Sequence, residues 1–396
     1  MNFLQSSLVF PISSPPIENG IVVVDDSGVI IEVIDPMTTG ELPSGIRKYE
    51  GFICPGFVNM HCHLELSHLK GKFAEKTGLV GFIDQMRLRR GGEFIHESIL
   101  KADQEMLANG IVAVADISNS PDTIDIKKIS QLYYHTFVEV FDVNPGRAEK
   151  VFEEGLMLAQ KFSDVELSAS IAPHAPYTVS SKLLSLLSKS YFNKAQLSTI
   201  HNQETEDEDS MFHSQSGDIF DFLIGLNPAN ADSIHKTDSS LEYILDHLHH
   251  FEKLLLVHNT FTKDKHIKEA QEFSDDIYWC LCPNANQYIE NTLPDIELFR
   301  KNNCRITLGT DSYASNRSLS ILEELKTIST HFPKIPLHEM LKWATLNGAA
   351  FLGKEDIFGS LERGKRPGIV LIENVDLSSL KITNLSISKQ IDKPIN

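Results

Sequence analysis

The chain has 396 residues, enough for one large domain, or one large and one small, around a substantial buried core. With 41% hydrophobic and 23% charged residues and no low-complexity tract it reads as an ordinary soluble globular protein, and a net charge of -18 argues against a nucleic-acid partner, whose phosphates need a basic surface. No apolar stretch of about 18 residues and no signal peptide with a basic start and apolar middle occurs, so the expectation is a cytoplasmic protein with no membrane partner. Five cysteines, Cys54, Cys62, Cys280, Cys282 and Cys304, are an odd number without zinc-ribbon spacing, as suits reduced thiols. Cys280-Leu281-Cys282 lies in an apolar run from Ile277 and reads as packing rather than as a ligand pair.

In chain order, the segment before Pro55 reads as short β elements, Ile21 to Val24 and Val29 to Ile34, joined by the turn Asp25-Asp26-Ser27-Gly28. Eight strand-like apolar runs then alternate with helical patterns: Phe57 to Met60, Ile111 to Ala115, Tyr134 to Val140, Leu167 to Ile171, Leu197 to Ile200, Leu254 to Val257, Ile277 to Leu281 and Ile306 to Leu308. That alternation is the pattern of β-α repeats and a parallel sheet. Beyond about Leu361 the β texture returns, with Ile369 to Ile372 and Leu385 to Ile387. The predicted architecture is α/β: a (β/α)8 TIM barrel over residues 55–361 and a small discontinuous β-sandwich domain built from both termini, 1–54 plus 362–396. A doubly wound open sheet is the alternative, but it leaves the ligand-type residues of the first and last strands far apart.

Those residues carry the chemistry. His61 and His63 end the first run, and alternate residues of a strand point the same way, so both imidazoles can reach one ion while Cys62 faces the other side. With 16 histidines in the chain, one His-x-His could arise by chance. Three later runs, however, end in His201, His258 and Asp311, and buried parallel strands carry functional groups at their C-terminal ends. Three imidazoles and a carboxylate suit one divalent ion, zinc above all, with iron or manganese admitted by the same donors, so His61, His63, His201 and Asp311 are assigned as ligands. Such an ion lowers the pKa of water toward about 7. Glu204, three residues beyond His201, is placed to move that proton as general base and acid; the competing reading is an acid at a helix start. His258 could be a ligand, a hydrogen-bonding group beside the ligands or a satisfied core histidine, and the second is favoured. The fourth strand ends in Ala172-Pro173-His174 with no lysine to bridge two ions, which favours one metal.

The motifs Pro55 to His63, Ala172 to Tyr177, His201-Asn202-Gln203-Glu204, Leu308 to Asn316 and Gly359 to Lys365 together make the chain resemble the amidohydrolase superfamily, in its mononuclear deaminase and chlorohydrolase branch. The resemblance implies a distorted barrel with a β-sandwich, metal ligands at the four positions already chosen, Glu204 as proton shuttle, His258 as the group orienting hydroxide and Asp311 as ligand and proton acceptor. It also implies that His174 contacts substrate, a residue that otherwise reads as structural, and that the protein is a homodimer. Relatives acting on S-adenosylhomocysteine or methylthioadenosine carry His-Asn-Pro after strand seven, where this chain has Cys282-Pro283-Asn284-Ala285-Asn286. The segment His63 to Gly71 is instead similar to aminodeoxyfutalosine deaminases.

The implied function is therefore metal-dependent hydrolytic deamination of an adenine-type nucleoside or related amino-heterocycle, with aminodeoxyfutalosine as the leading small-molecule substrate. Alternatives are an S-adenosylhomocysteine, methylthioadenosine or adenosine deaminase, a chlorohydrolase or cyclic amidohydrolase using the same site, and a non-catalytic binding protein. The signatures of the cytidine-deaminase design are absent. Arg87, Arg89 and Arg90 follow the first strand, and a guanidinium at Arg87 could hold a substrate carboxylate, although three arginines in four residues also describe a solvated helix face.

Overall fold

The computed structural model describes residues 1–39, 41–89, 95–227, 229, 231 and 234–392. Its centre is a ring of eight parallel strands: β6 (Phe57–Cys62), β7 (Ile111–Ser118), β8 (Tyr133–Val140), β9 (Ser168–Pro173), β10 (Leu197–Asn202), β11 (Lys253–His258), β12 (Ile277–Leu281) and β13 (Ile306–Leu308). Every expected strand is found, and each is followed by at least one helix. Regular pairing forms two four-stranded sheets, β6 to β9 and β10 to β13.

Two seams close the ring. At one, the His201 N–H donates to the His174 carbonyl at 2.9 Å and Ser170 Oγ donates to the Leu197 carbonyl at 2.8 Å. At the other, the N–H groups of Thr310 and Asp311 both donate to the His61 carbonyl, at 3.0 and 2.9 Å. Gly309 makes the second seam possible, since a Cβ there would lie 2.6 Å from His61 Cβ and 2.8 Å from its backbone nitrogen.

The runs are apolar on both faces because both faces are covered. On β11, Leu255 and Val257 join an inner cluster with Val58, Ala115, Phe137, Ala172, Leu197 and Tyr278; this cluster draws on seven of the eight strands, which only a closed interior can bring together. Leu254 and Leu256 point the other way, into the larger cluster under the helices.

The termini build a second sheet from β1 (Asn2–Val9), β2 (Ile17–Glu18), β3 (Ile21–Val24), β4 (Ile30–Ile34), β5 (Arg47–Pro55), β14 (Ile369–Glu373) and β15 (Ile387–Asp392), ordered β15-β14-β5-β1-β3-β4 with β2 beside β1. Its two faces serve different cores. Phe52, Cys54, Val370 and Ile372 pack toward the barrel, whereas Ile53, Ile369 and Leu371 join Leu4, Val22, Val24 and Ile30 in a small cluster. The sheet curls over that cluster: Ile30 of edge strand β4 exchanges backbone hydrogen bonds of 2.9 and 2.8 Å with Lys365 and Gly364, just ahead of β14 near the opposite edge. On this geometry we propose residues 1–54 with 362–396 as one unit and 55–361 as the other.

The sequence patterning does not signal β1 or β5, and it places the last strand too early. Leu385 is a turn residue, 78% exposed, and the strand starts at Ile387. The hydroxyl of Thr383 accepts from the Leu385 N–H and that of Ser386 from the Thr383 N–H, so side chains claim the backbone before a ladder can.

Beneath the first strand end lies a buried ion pair. Asp116 of β7 meets Lys127 Nζ at 2.6 Å with both side chains inaccessible, and its other oxygen accepts the Leu64 N–H at 2.8 Å, one residue beyond His63. Lys127→Met should therefore cost about 3–5 kcal/mol by stranding a buried carboxylate, and adding Asp116→Asn should recover part of the loss. Denaturant midpoints check this; a single variant within about 1 kcal/mol of the parent would contradict it.

A candidate metal centre and its cavity

Strict alternation would not aim all the predicted groups at one point. Val58 and Met60 face the barrel interior, so a regular β6 would turn His61 outward; the ladder between β6 and β7 slips in register between Asn59 and Cys62. Such a bulge re-aims a side chain. Elsewhere the backbone itself is strained: Gln203, His258, Asn259 and Asp311 hold φ of +46°, +72°, +57° and +58° at strand ends. Left-handed conformations at non-glycine residues cost about 1–3 kcal/mol each and persist only where surrounding structure over-determines them.

Buried amides provide that structure. Asn59 on β6 donates to Thr310 Oγ1 at 2.8 Å and accepts the Thr310 N–H at 3.0 Å. Asn259 Nδ2 donates to the carbonyls of Leu256 and Cys280, and its Oδ1 accepts from Asn202 Nδ2 at 3.0 Å. Glu208 accepts the N–H groups of Gln203 and Glu204 at 2.9 and 2.7 Å, which fixes the loop after β10; burial pushes its carboxyl up to about 8 against those two bonds.

The result brings the predicted residues together. His61 Nε2 and His63 Nε2 are 3.1 Å apart, and each is 3.4 Å from Asp311 Oδ1. Four donors held tetrahedrally at about 2.0–2.1 Å from zinc would sit roughly 3.3 Å apart, so this triangle matches three of its corners. The second carboxylate oxygen of Asp311 is occupied by the Ser315 hydroxyl. His201 donates from Nδ1 to the His174 carbonyl at 2.8 Å, which leaves Nε2 with the lone pair, and its ring centroid is 4.9 Å from that of His61. Among the described residues, three groups could hold an ion: His61, His63 and Asp311; His61, His201 and His258; and Glu139, His174 and His201. The first two share His61 and cover the four expected ligands with His258 alongside.

Electrostatics favour the forms that bind cations. Burial, then the neighbouring His61, pushes His63 down to about 3, and burial likewise holds His201 and His258 below the usual histidine range, so the rings are neutral. Burial opposes ionisation of Asp311, but its hydrogen bond to His61 and the surrounding imidazoles hold it well below the carboxylate range. The buried Nδ1 of His61 has no hydrogen-bond partner. Converging imidazole nitrogens, one carboxylate and a buried His61 ring with no partner at Nδ1 fit a divalent ion.

Glu204 lies beside this cluster, Oε1 3.6 Å from His258 Nε2. Burial, then Asp311 and Glu290, hold its carboxyl well above the usual range. A cavity of about 560 Å³ opens over the cluster, with His63, His174, His201, Glu204, His258 and Asp311 in its floor. Leu79, Phe82, Met86, Ile219, Phe222 and Leu223 form its apolar walls.

Arg87 lines this cavity, half exposed, with its guanidinium 5.6 Å from the Phe222 ring and 3.6 Å from Asp84. Arg89 instead lies over Phe73, and Arg90 falls outside the described residues. His174 is in the lining, its Nδ1 2.7 Å from Thr178 Oγ1. Among the lining and supporting residues that escaped the sequence reading are Arg147, Glu139, Glu208, Asn259 and Asn286. Glu139 was within reach of the same reasoning, being a carboxylate near the end of an apolar strand.

The sequence profile of the amidohydrolase family matches residues 52–395. An adenosine deaminase of Helicobacter pylori is 26% identical over 366 residues, spanning 87% of this chain and 86% of that protein. The crystal structure of Helicobacter pylori aminofutalosine deaminase in complex with methylthio-coformycin superposes with a TM-score of 0.78 at 23% identity, over 95% of this chain and 93% of that one. The zinc complex of atrazine chlorohydrolase from Arthrobacter aurescens gives 0.76 at 16% identity, over 100% and 96%.

If the cluster holds one ion, zinc at about a thousandfold excess over its Kd should stabilise the metal-free protein by roughly 4 kcal/mol. His63→Ala and Asp311→Asn should each remove most of that gain in thermal unfolding. An undiminished gain in both variants would place the ion elsewhere.

Proposed function

Because the chain belongs to the amidohydrolase family, we propose that it is a metal-dependent hydrolytic deaminase of an adenine-type nucleoside, with aminodeoxyfutalosine as the leading substrate. The observation that carries this reading is the buried Glu204 carboxyl beside His258, opening on a cavity whose floor is the four-donor cluster. In this reading His61, His63, His201 and Asp311 hold one divalent ion, zinc above all. When bound, such an ion supplies Lewis acidity and makes water nucleophilic at neutral pH.

The remaining work falls to side chains. A carboxyl held well above its usual range can donate its proton to a ring nitrogen and recover one from the attacking water, which is the role assigned to Glu204. Asp311, held ionised, takes the second proton of the attacking water and passes it to the amino group, which leaves as ammonia as the carbon–nitrogen bond breaks. His258 orients the water, and His174, in the floor beside His201, contacts the heterocycle. The likeness to an adenosine deaminase supports this chemistry over its neighbours.

The lining of the cavity supports the choice of substrate. Beside its apolar walls stand two guanidinium groups, Arg87, 3.6 Å from Asp84, and Arg147, 3.2 Å from Asp142. Apolar walls with guanidinium groups in the lining suit a nucleoside extended by an aromatic carboxylate. A chlorohydrolase reading has the likeness to the atrazine enzyme in its favour and uses the same floor. A homodimer belongs to the proposal on family resemblance alone and a cytoplasmic location on the sequence expectation; light scattering reads the assembly directly.

Ammonia release over a panel of aminodeoxyfutalosine, adenosine, S-adenosylhomocysteine, methylthioadenosine and guanine tests the reading. Silence from metal-loaded protein would sink it and send the search to chlorinated heterocycles and cyclic amides. Glu204→Gln should lower kcat by about 10²- to 10⁴-fold with metal content unchanged. Arg87→Ala should raise KM for the carboxylated nucleoside and leave adenosine unaffected; equal effects on both would remove Arg87 from substrate recognition.

A further inference from the structure

His258 and Asn286 form a reciprocal pair that determines which ring nitrogen carries the proton. Asn286 belongs to the short helix Pro283–Ile289 that follows β12, and its N–H donates to the Cys282 carbonyl at 2.9 Å. Its side chain reaches back across the strand ends to His258. Asn286 Oδ1 lies 3.0 Å from His258 Nδ1, and Asn286 Nδ2 lies 3.3 Å from the carbonyl oxygen of the same histidine. Both residues are only 1% exposed, so water does not compete.

Bonding capacity alone assigns the atoms. A backbone carbonyl can only accept, so the amide group facing it must be the NH2. Turning the amide over would set two acceptors against each other. The amide oxygen therefore faces the ring, and because that oxygen also only accepts, Nδ1 must carry the hydrogen. In a neutral imidazole the lone pair is then on Nε2, the nitrogen that points to Glu204 at 3.6 Å. The same contact helps hold His258 in its left-handed conformation, φ +72°, because the amide grips the carbonyl that this conformation turns toward it.

We propose that Asn286 is a positioning residue that locks His258 in the Nδ1–H tautomer, so that Nε2 accepts a hydrogen bond from the attacking water. The catalytic consequence rests on the deaminase reading above; the tautomer itself does not. An Nε2–H form would present a donor at the same place and turn the water's lone pair, rather than its hydrogen, toward the ring. Asn286 is thereby a determinant of how the water is aimed, although it touches neither water nor substrate.

The test is the tautomer of His258 in zinc-loaded protein labelled with 15N-histidine, read from long-range 1H–15N correlations, with the signal identified by its loss in His258→Gln. The Nδ1–H pattern is expected in the parent and in Asn286→Asp, which keeps the acceptor facing the ring. Asn286→Ala should shift the pattern toward Nε2–H and lower kcat by about 10- to 100-fold with KM little changed. An Nε2–H pattern in the parent overturns the proposal, as does parental kcat in Asn286→Ala on any compound the parent deaminates. If the parent deaminates nothing, the functional reading fails, while the spectra still decide the tautomer.

Discussion

Closure of the parallel sheet is the constraint on which the rest depends. The expected metal donors come from strands one, five and eight, and the groups proposed to carry the proton and orient the water, Glu204 and His258, from the ends of strands five and six. In an open sheet the first and last of these lie at opposite edges. Two N–H groups donated to the single His61 carbonyl, with Gly309 admitting the close approach, join them. The seam that closes the barrel thus runs through the backbone of a donor residue, so fold closure and donor geometry are set by the same hydrogen bonds.

Closure alone brings the strand ends near one another; it does not aim them. The aim comes from local departures from regularity, a register slip before His61 and left-handed backbones at Gln203, His258 and Asp311. Each is held by a buried, hydrogen-bonded amide or carboxylate, notably Asn59, Asn259, Asn286 and Glu208. This division of labour separates the groups proposed to meet the substrate from the polar network that spends stability to orient them. It also explains why Nε2 of His201 and of His258 is presented as a lone pair: burial holds both rings below the usual histidine range, and a carbonyl or amide oxygen takes up the proton of each on the far side.

Much of this was legible from one chain. The eight barrel strands stand out because parallel strands buried on both faces must be continuously apolar, and the donors stand out because each run stops at a residue that apolar packing would not choose. Two central strands of the terminal sheet were not legible, since β1 and the first half of β5 are only partly buried and mix polar with apolar side chains. The supporting amides were hidden for another reason. Asn259 and Asn286 matter through contacts with residues on other strands, and a sequence does not show which amide is buried against which carbonyl. Arg147 lay in a loop whose place at the cavity depends on the whole barrel.

The central claim is that closure focuses three imidazoles and one carboxylate on a single cation. The most direct measurement is zinc K-edge X-ray absorption on protein loaded with one equivalent. The account predicts only nitrogen and oxygen neighbours at about 2.0–2.1 Å, with the multiple-scattering signature of several imidazoles. A sulfur shell at about 2.3 Å would assign the ion to the buried cysteines and contradict it.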